Sequence, residues 1–118
     1  MACGINQDFD MYAGDDQNIG ITIKDALGGN MNLTDVNAIQ WIMKKYALSS
    51  GSLIEKNVGS GVTILTAASG EVRVELYSAD TQSVTPGPYY HEMRVKDSSN
   101  NISTVLTGTM TIYPTEPL

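Results

Sequence analysis

Few residues in this chain have the chemistry to act as acids, bases, nucleophiles or ligands, and their spacing does not gather them. His91 is the only histidine, so neither a histidine metal pair nor a Ser-His-Asp relay with a second base can be built. Glu92 stands beside it, but on a strand neighbouring residues point to opposite faces, which separates the two groups. That spacing gives His91 a structural place in or at the edge of the core. Asp8, Asp10, Asp15 and Asp16 supply the hard oxygen ligands that Ca²⁺ prefers, yet their spacing matches no defined calcium loop and reads as solvated turns. Gly28-Gly29 and Gly59-Ser60-Gly61 could cradle a phosphate only by opening a helix or preceding a P-loop lysine. Neither does, so both read as hairpin turns. The chain is accordingly read as non-enzymatic, with no metal and no cofactor.

Composition excludes further classes. Thirteen Asp and Glu oppose seven Lys and Arg, and only Lys44-Lys45 are adjacent cations, which leaves no basic patch to neutralise a nucleic-acid backbone. Cys3 is the sole cysteine, so no disulfide can form within the chain. No apolar run approaches the length of a membrane span, and Met1–Gly4 carries neither a basic region nor an apolar stretch of a secretory signal. Synthesis and folding in the cytosol are expected. The Asn32-Leu33-Thr34 and Asn101-Ile102-Ser103 sequons carry little weight in that setting.

The elements that must position these residues follow from period-two alternation. Ile19, Ile21 and Ile23 alternate with Gly20, Thr22 and Lys24, and Val72, Val74 and Leu76 with Glu71, Arg73 and Glu75. Further strands are read at 8–12, Leu53–Lys56, Val62–Leu65 and Thr104–Tyr113. Residues 36–48 carry two patterns at once. Val36, Ile39, Met43 and Tyr46 keep helical spacing, whereas Ile39, Trp41 and Met43 alternate as a strand would. The strand is favoured because every neighbour is a strand, and Trp41 then becomes the central core aromatic. Ser78–Ser83 has the composition of a single helical turn.

Pro86-Gly87-Pro88 makes a sharp corner, after which Tyr89, His91, Met93 and Val95 share one face and Tyr90, Glu92 and Arg94 the other. A tyrosine just after such a corner, at the start of a late strand, matches the tyrosine corner of immunoglobulin-like sandwiches. The expected fold is therefore all-β: an immunoglobulin-like β-sandwich of seven to eight antiparallel strands over residues 8–113, between an N-terminal tail 1–7 and a C-terminal tail 114–118. Among the tyrosines, Tyr90 on the outward face, with Arg94 and Tyr113, supplies the candidate interface residues.

The order of these elements also resembles a family. Phe9-x-Met-Tyr-x-Gly-Asp-Asp leads into Ile19-x-Ile-x-Ile-Lys-Asp. Leu33-Thr34 precedes Ile39-Gln40-Trp41, and Leu53-Ile54-Glu55-Lys56 precedes Gly61-Val62-Thr63-Ile64. Gly70-Glu71-Val72 leads to Pro86-Gly87-Pro88-Tyr89-Tyr90-His91-Glu92, and Gly108-Thr109-Met110-Thr111-Ile112 closes the chain. Over about residues 8–113 this is similar to the small immunoglobulin-like domains of tailed-bacteriophage virions, including the N-terminal domain of upper baseplate proteins and short stand-alone head and tail proteins. The resemblance implies a multi-copy, oligomeric structural protein, a decoration or adaptor on capsid, neck, tail or baseplate. It would be made in the host cytoplasm and located in the virion, with other virion proteins as partners and neither nucleic acid nor membrane among them. Upper baseplate proteins continue into a receptor-binding region, whereas this sequence stops at Leu118, which favours the adaptor role. A carbohydrate-binding or host-adhesion module gripping a glycan through Tyr90 is the alternative.

Overall fold

Alternation of apolar and polar residues sets where this chain extends, and burial follows it closely. The computed structural model describes residues 5–25 and 27–116; Cys3 lies outside them. In chain order the strands are β1 (Ile5–Asn6), β2 (Phe9–Tyr12), β3 (Gln17–Thr22), β4 (Ala38–Lys44), β5 (Ile54–Val58), β6 (Gly61–Thr66), β7 (Glu71–Leu76), β8 (Gly87–Lys96) and β9 (Ile102–Tyr113), with one helical turn, α1 (Ser78–Thr81), before β8. The ambiguous stretch 36–48 resolves as strand β4. Its Ile39, Trp41 and Met43 are buried, and register places them opposite Val95, Met93 and His91 of β8. A helix there would have left the long edge of β8 unpaired and its backbone groups unsatisfied.

The strands run in the order β1-β9-β8-β4-β5-β6-β7-β3, with β2 also on β9. The chain changes layer between β5 and β6. There Asn57 and Ser60 exchange backbone hydrogen bonds of 3.1 and 2.7 Å, and Gly59 and Gly61 take φ of 85° and 102°. One layer is thus β9-β8-β4-β5, with β1 and β2 on the outer edge of β9, and the other β6-β7-β3, with Trp41, Val72, Val74, Met93 and Met110 all 0% exposed between them. This is an immunoglobulin-like β-sandwich. Its corner has the expected form: the Tyr89 hydroxyl donates to the Thr85 carbonyl four residues upstream, and Tyr89 is otherwise buried.

Two features depart from the sequence reading. The sandwich begins at Ile5 rather than at residue 8, and not every pairing is antiparallel. β1 and β2 lie parallel to β9, with Ile5 opposite Leu106 and Tyr12 opposite Tyr113. They are in effect one edge strand interrupted at Gln7–Asp8, which brings the strands among the described residues to nine. The interruption has a local cause. Gly108 on β9 carries no side chain, and a Cβ there would stand 2.0 Å from the Gln7 carbonyl oxygen. The Asp8 carboxylate then accepts the Thr109 N–H at 2.9 Å.

The carbonyl admitted by Gly108 ends on His91. In antibody domains the residue two places after the corner tyrosine is the second cysteine of the disulfide against which the strand-C tryptophan packs. Here His91 holds that place, fully buried, and takes up a polar role instead. Trp41 Nε1–H donates to His91 Nδ1 at 3.1 Å, and His91 Nε2–H donates to the Gln7 carbonyl at 2.7 Å. The rings of Trp41 and Phe9 flank the imidazole, with centroids at 5.9 and 5.3 Å.

Both ring nitrogens of His91 are committed as a neutral imidazole. Burial pushes its pKa below the ordinary range near 6.5, against smaller opposing pulls from the Gln7 carbonyl and the Asp8 charge. The unfolded chain then binds a proton that the folded one resists, so stability is complete above about pH 6.5 and declines as pH falls below it. Urea melts between neutrality and the onset of carboxylate titration should show this slope, and His91→Gln should abolish it; a wild-type profile flat over that interval refutes the assignment. Trp41→Ala should cost about 3–5 kcal/mol in the same melts. Trp41→Phe, which keeps most of the volume, should still lose stability because the His91 Nδ1 acceptor is left without its donor.

Candidate functional site

β8 and β9 place their even and odd positions so that the three candidate residues share one outward face. Tyr90 and Arg94 point away from the core because Tyr89, His91, Met93 and Val95 point into it. Tyr113 does so because Met110 and Ile112 are buried. They do not converge. Arg94 lies four positions along β8 from Tyr90, and Tyr113 four positions along β9 from Thr109, the register partner of Tyr90, about 13 Å in each direction. The face is an extended strip, not a cleft.

Each residue has its own surroundings. Tyr90 is half-buried, with Lys44 Nζ 5.9 Å from its ring centroid. Lys44 in turn pairs with Glu92 at 3.6 Å. Burial, and then the Glu92 charge, push the Tyr90 hydroxyl pKa above its ordinary value, with Arg94 opposing. Tyr113 stacks on Tyr12 of the N-terminal edge, centroids 5.6 Å apart and planes tilted by 47°. Both rings remain largely exposed. Arg94 is exposed at the opposite end of the sheet, where a shallow depression of about 210 Å³ opens among Gln40, Asn57, Arg94, Lys96 and Ile102. The Gln40 and Asn57 amides, register partners on β4 and β5, bond to each other at 3.3 Å across its floor.

Sequence reasoning missed the partners that come from other strands. Lys44, Gln40, Asn57 and Tyr12 become neighbours of the strip only through register, which pattern alone does not reveal. It also missed the polar network on the far side. Lys56, buried at an inward position of β5, pairs with Asp80 of α1 at 2.8 Å and lies 5.1 Å from the Tyr77 ring centroid. Asp80 also accepts the Tyr77 N–H at 2.7 Å. Glu75 accepts Thr63 Oγ1–H at 2.6 Å and the Tyr77 hydroxyl at 3.2 Å. The Thr63 bond chiefly lowers the Glu75 pKa, while the Glu75 charge raises that of Tyr77.

The acidic cluster of the N-terminal region is dispersed. Asp8 caps the Thr109 N–H, and Asp16 accepts the Ser78 N–H at 2.7 Å on another element. Among the described residues no three His, Cys, Asp or Glu side chains come close enough to hold a metal ion, and no helix is long and apolar enough to cross a membrane.

No family model matches the sequence, and no curated protein matches it. Solved structures do match. CopC from Methylosinus trichosporium OB3b aligns with a TM-score of 0.50 at 16% identity, covering 94% of this chain and 88% of that one. Murine CRIg aligns with a TM-score of 0.49 at 8% identity, covering 92% of each chain. At such identities the CopC likeness concerns the fold alone, and it agrees with the sandwich described above.

The two cationic environments predict different responses. Arg94 has no carboxylate within ion-pairing distance among the described residues, so Arg94→Ala should leave the unfolding free energy within about 0.5 kcal/mol of wild type. Lys56→Met strands the Asp80 carboxylate and should cost about 1–3 kcal/mol by the same denaturant measurement.

Proposed function

We propose that this chain is a non-enzymatic structural protein of a tailed-phage virion, serving in many copies as a decoration or adaptor subunit on capsid, neck, tail or baseplate. The observation that carries the reading is the order of motifs from Phe9 to Ile112 that resembles the small immunoglobulin-like domains of such virions. The sandwich fold agrees with that family, and the outward strip of β8 and β9 suits contact with another protein. Aromatic and arginine anchors spaced along a flat strand face can each seat in a neighbour's surface, and repetition of weak contacts over many copies gives firm attachment. Other virion proteins are the partners in this reading.

A second reading, a glycan-binding or adhesion module, is favoured by one observation: the exposed Tyr12–Tyr113 pair presents two aromatic faces, the surface on which sugar rings stack. Tyr90, half-buried beside Lys44, is a poorer platform.

Mass spectrometry of purified virions tests the first reading: the chain should be present in multiple copies. Arg94→Glu with Tyr113→Ala should lower its incorporation about tenfold, as loss of roughly 1.4 kcal/mol of interface energy would. Particles lacking the chain, together with saturable glycan-array binding abolished by Tyr113→Ala, would overturn it in favour of the second.

A further inference from the structure

Among the described residues, β3 lies at the end of the strand order and pairs only with β7. Its open side can be identified. Ile23 continues the β3–β7 register and its N–H donates to the Gly70 carbonyl at 2.8 Å, on the β7 side. Backbone groups alternate along a strand, so the N–H and C=O groups of Asn18, Gly20 and Thr22 point outward, away from β7.

Natural sheets protect such an edge with lysine, proline or a bulge. This one has none of them: Gln17-Asn18-Ile19-Gly20-Ile21-Thr22 carries no charge, its register with β7 is unbroken, and nothing stands within 4 Å of where a Gly20 Cβ would be. Charge appears only beyond the two ends, as Asp15 and Asp16 before the strand and Lys24 after it. Lys24 bonds the neutral Asn30 side chain and has no ion pair among the described residues.

We infer that β3 pairs antiparallel with β3 of a second copy of this chain, on a two-fold axis through Gly20. An antiparallel ladder must join outward-pointing residues to outward-pointing residues, which the register Asn18–Thr22, Gly20–Gly20 and Thr22–Asn18 does. That register sets Ile19 against Ile21 on the core-facing side at both ends. It also brings Asp16 of each copy opposite Lys24 of the other. The edge is self-complementary in backbone, apolar and charged positions, as a two-fold interface requires. The product joins two β6-β7-β3 layers into one continuous six-stranded layer. A single strand pairing buries little area, so the dimer is weak in isolation and gains from high local concentration. The inference does not depend on the virion reading.

Sedimentation of the full chain from low to high micromolar concentration tests it. A monomer–dimer equilibrium that weakens with added salt is expected. Gly20→Lys sits on an exposed position and places two like charges at the axis; it should abolish the dimer while urea melts show the fold retained. Lys24→Glu should weaken association about tenfold or more, corresponding to about 1.4 kcal/mol. Asp16→Lys combined with Lys24→Glu should restore it, because each pair keeps opposite signs. A wild-type chain that stays monomeric throughout overturns the inference. A dimer untouched by Gly20→Lys overturns it equally, by placing the contact elsewhere.

Discussion

The neutral imidazole of His91 ties together three elements of one layer at the point where they meet. One nitrogen accepts from Trp41 at the centre of β4, and the other donates to the Gln7 carbonyl on the N-terminal edge. A buried indole N–H is costly to leave unpaired, as is the part-buried Gln7 carbonyl, and a single ring satisfies both. Where antibody domains place a cysteine of the inter-sheet disulfide, this chain places a ring whose two hydrogen bonds run within one layer and depend on protonation. The glycine at 108 is the condition for the arrangement, since any side chain there would displace the Gln7 carbonyl.

Around that centre the layers are tied by ordinary burial and sealed at their margins by polar links. The Tyr89 corner fixes the entry to β8. On the far side, the Lys56–Asp80 pair ties β5 to α1, where Lys56 lies along Gly61 at the crossing between layers. Its ammonium reaches the Asp80 carboxylate and stands over the Tyr77 ring. Gly14 N–H donates to the buried Thr81 hydroxyl at 2.8 Å, so the turn between β2 and β3 is anchored to the same helical turn.

With the interior so occupied, what the molecule offers outward is strand surface and strand edge. The face of β8 and β9 spreads its aromatic and cationic groups over a long strip, whereas the edge of β3 offers bare backbone. These are two different kinds of adhesion, one by side chains and one by main chain. In the two proposals made above, the face would take a neighbour of another type and the edge a second copy of this chain.

Much of this was legible in the residue pattern, for a definite reason. A strand half-exposed to water must alternate, so β3, β7 and β8 can be read directly from Ile19–Ile21, Val72–Leu76 and Tyr89–Val95. The Pro86-Gly87-Pro88 corner likewise marks the tyrosine that follows it. Even the ambiguous 36–48 segment yields once its neighbours are known to be strands. Pattern fails where the cause is a contact between distant residues. Nothing in Ile5–Gln7 announces a parallel edge strand, because that pairing depends on the empty space at Gly108. Lys56 looks like an ordinary surface lysine until β5 turns it against Asp80. Tyr90, Arg94 and Tyr113 could be assigned to one face from sequence, since facing is a local property. Their separation, the pairing of Tyr12 with Tyr113 and the open side of β3 depend on which strands lie next to one another, and only the folded chain decides that.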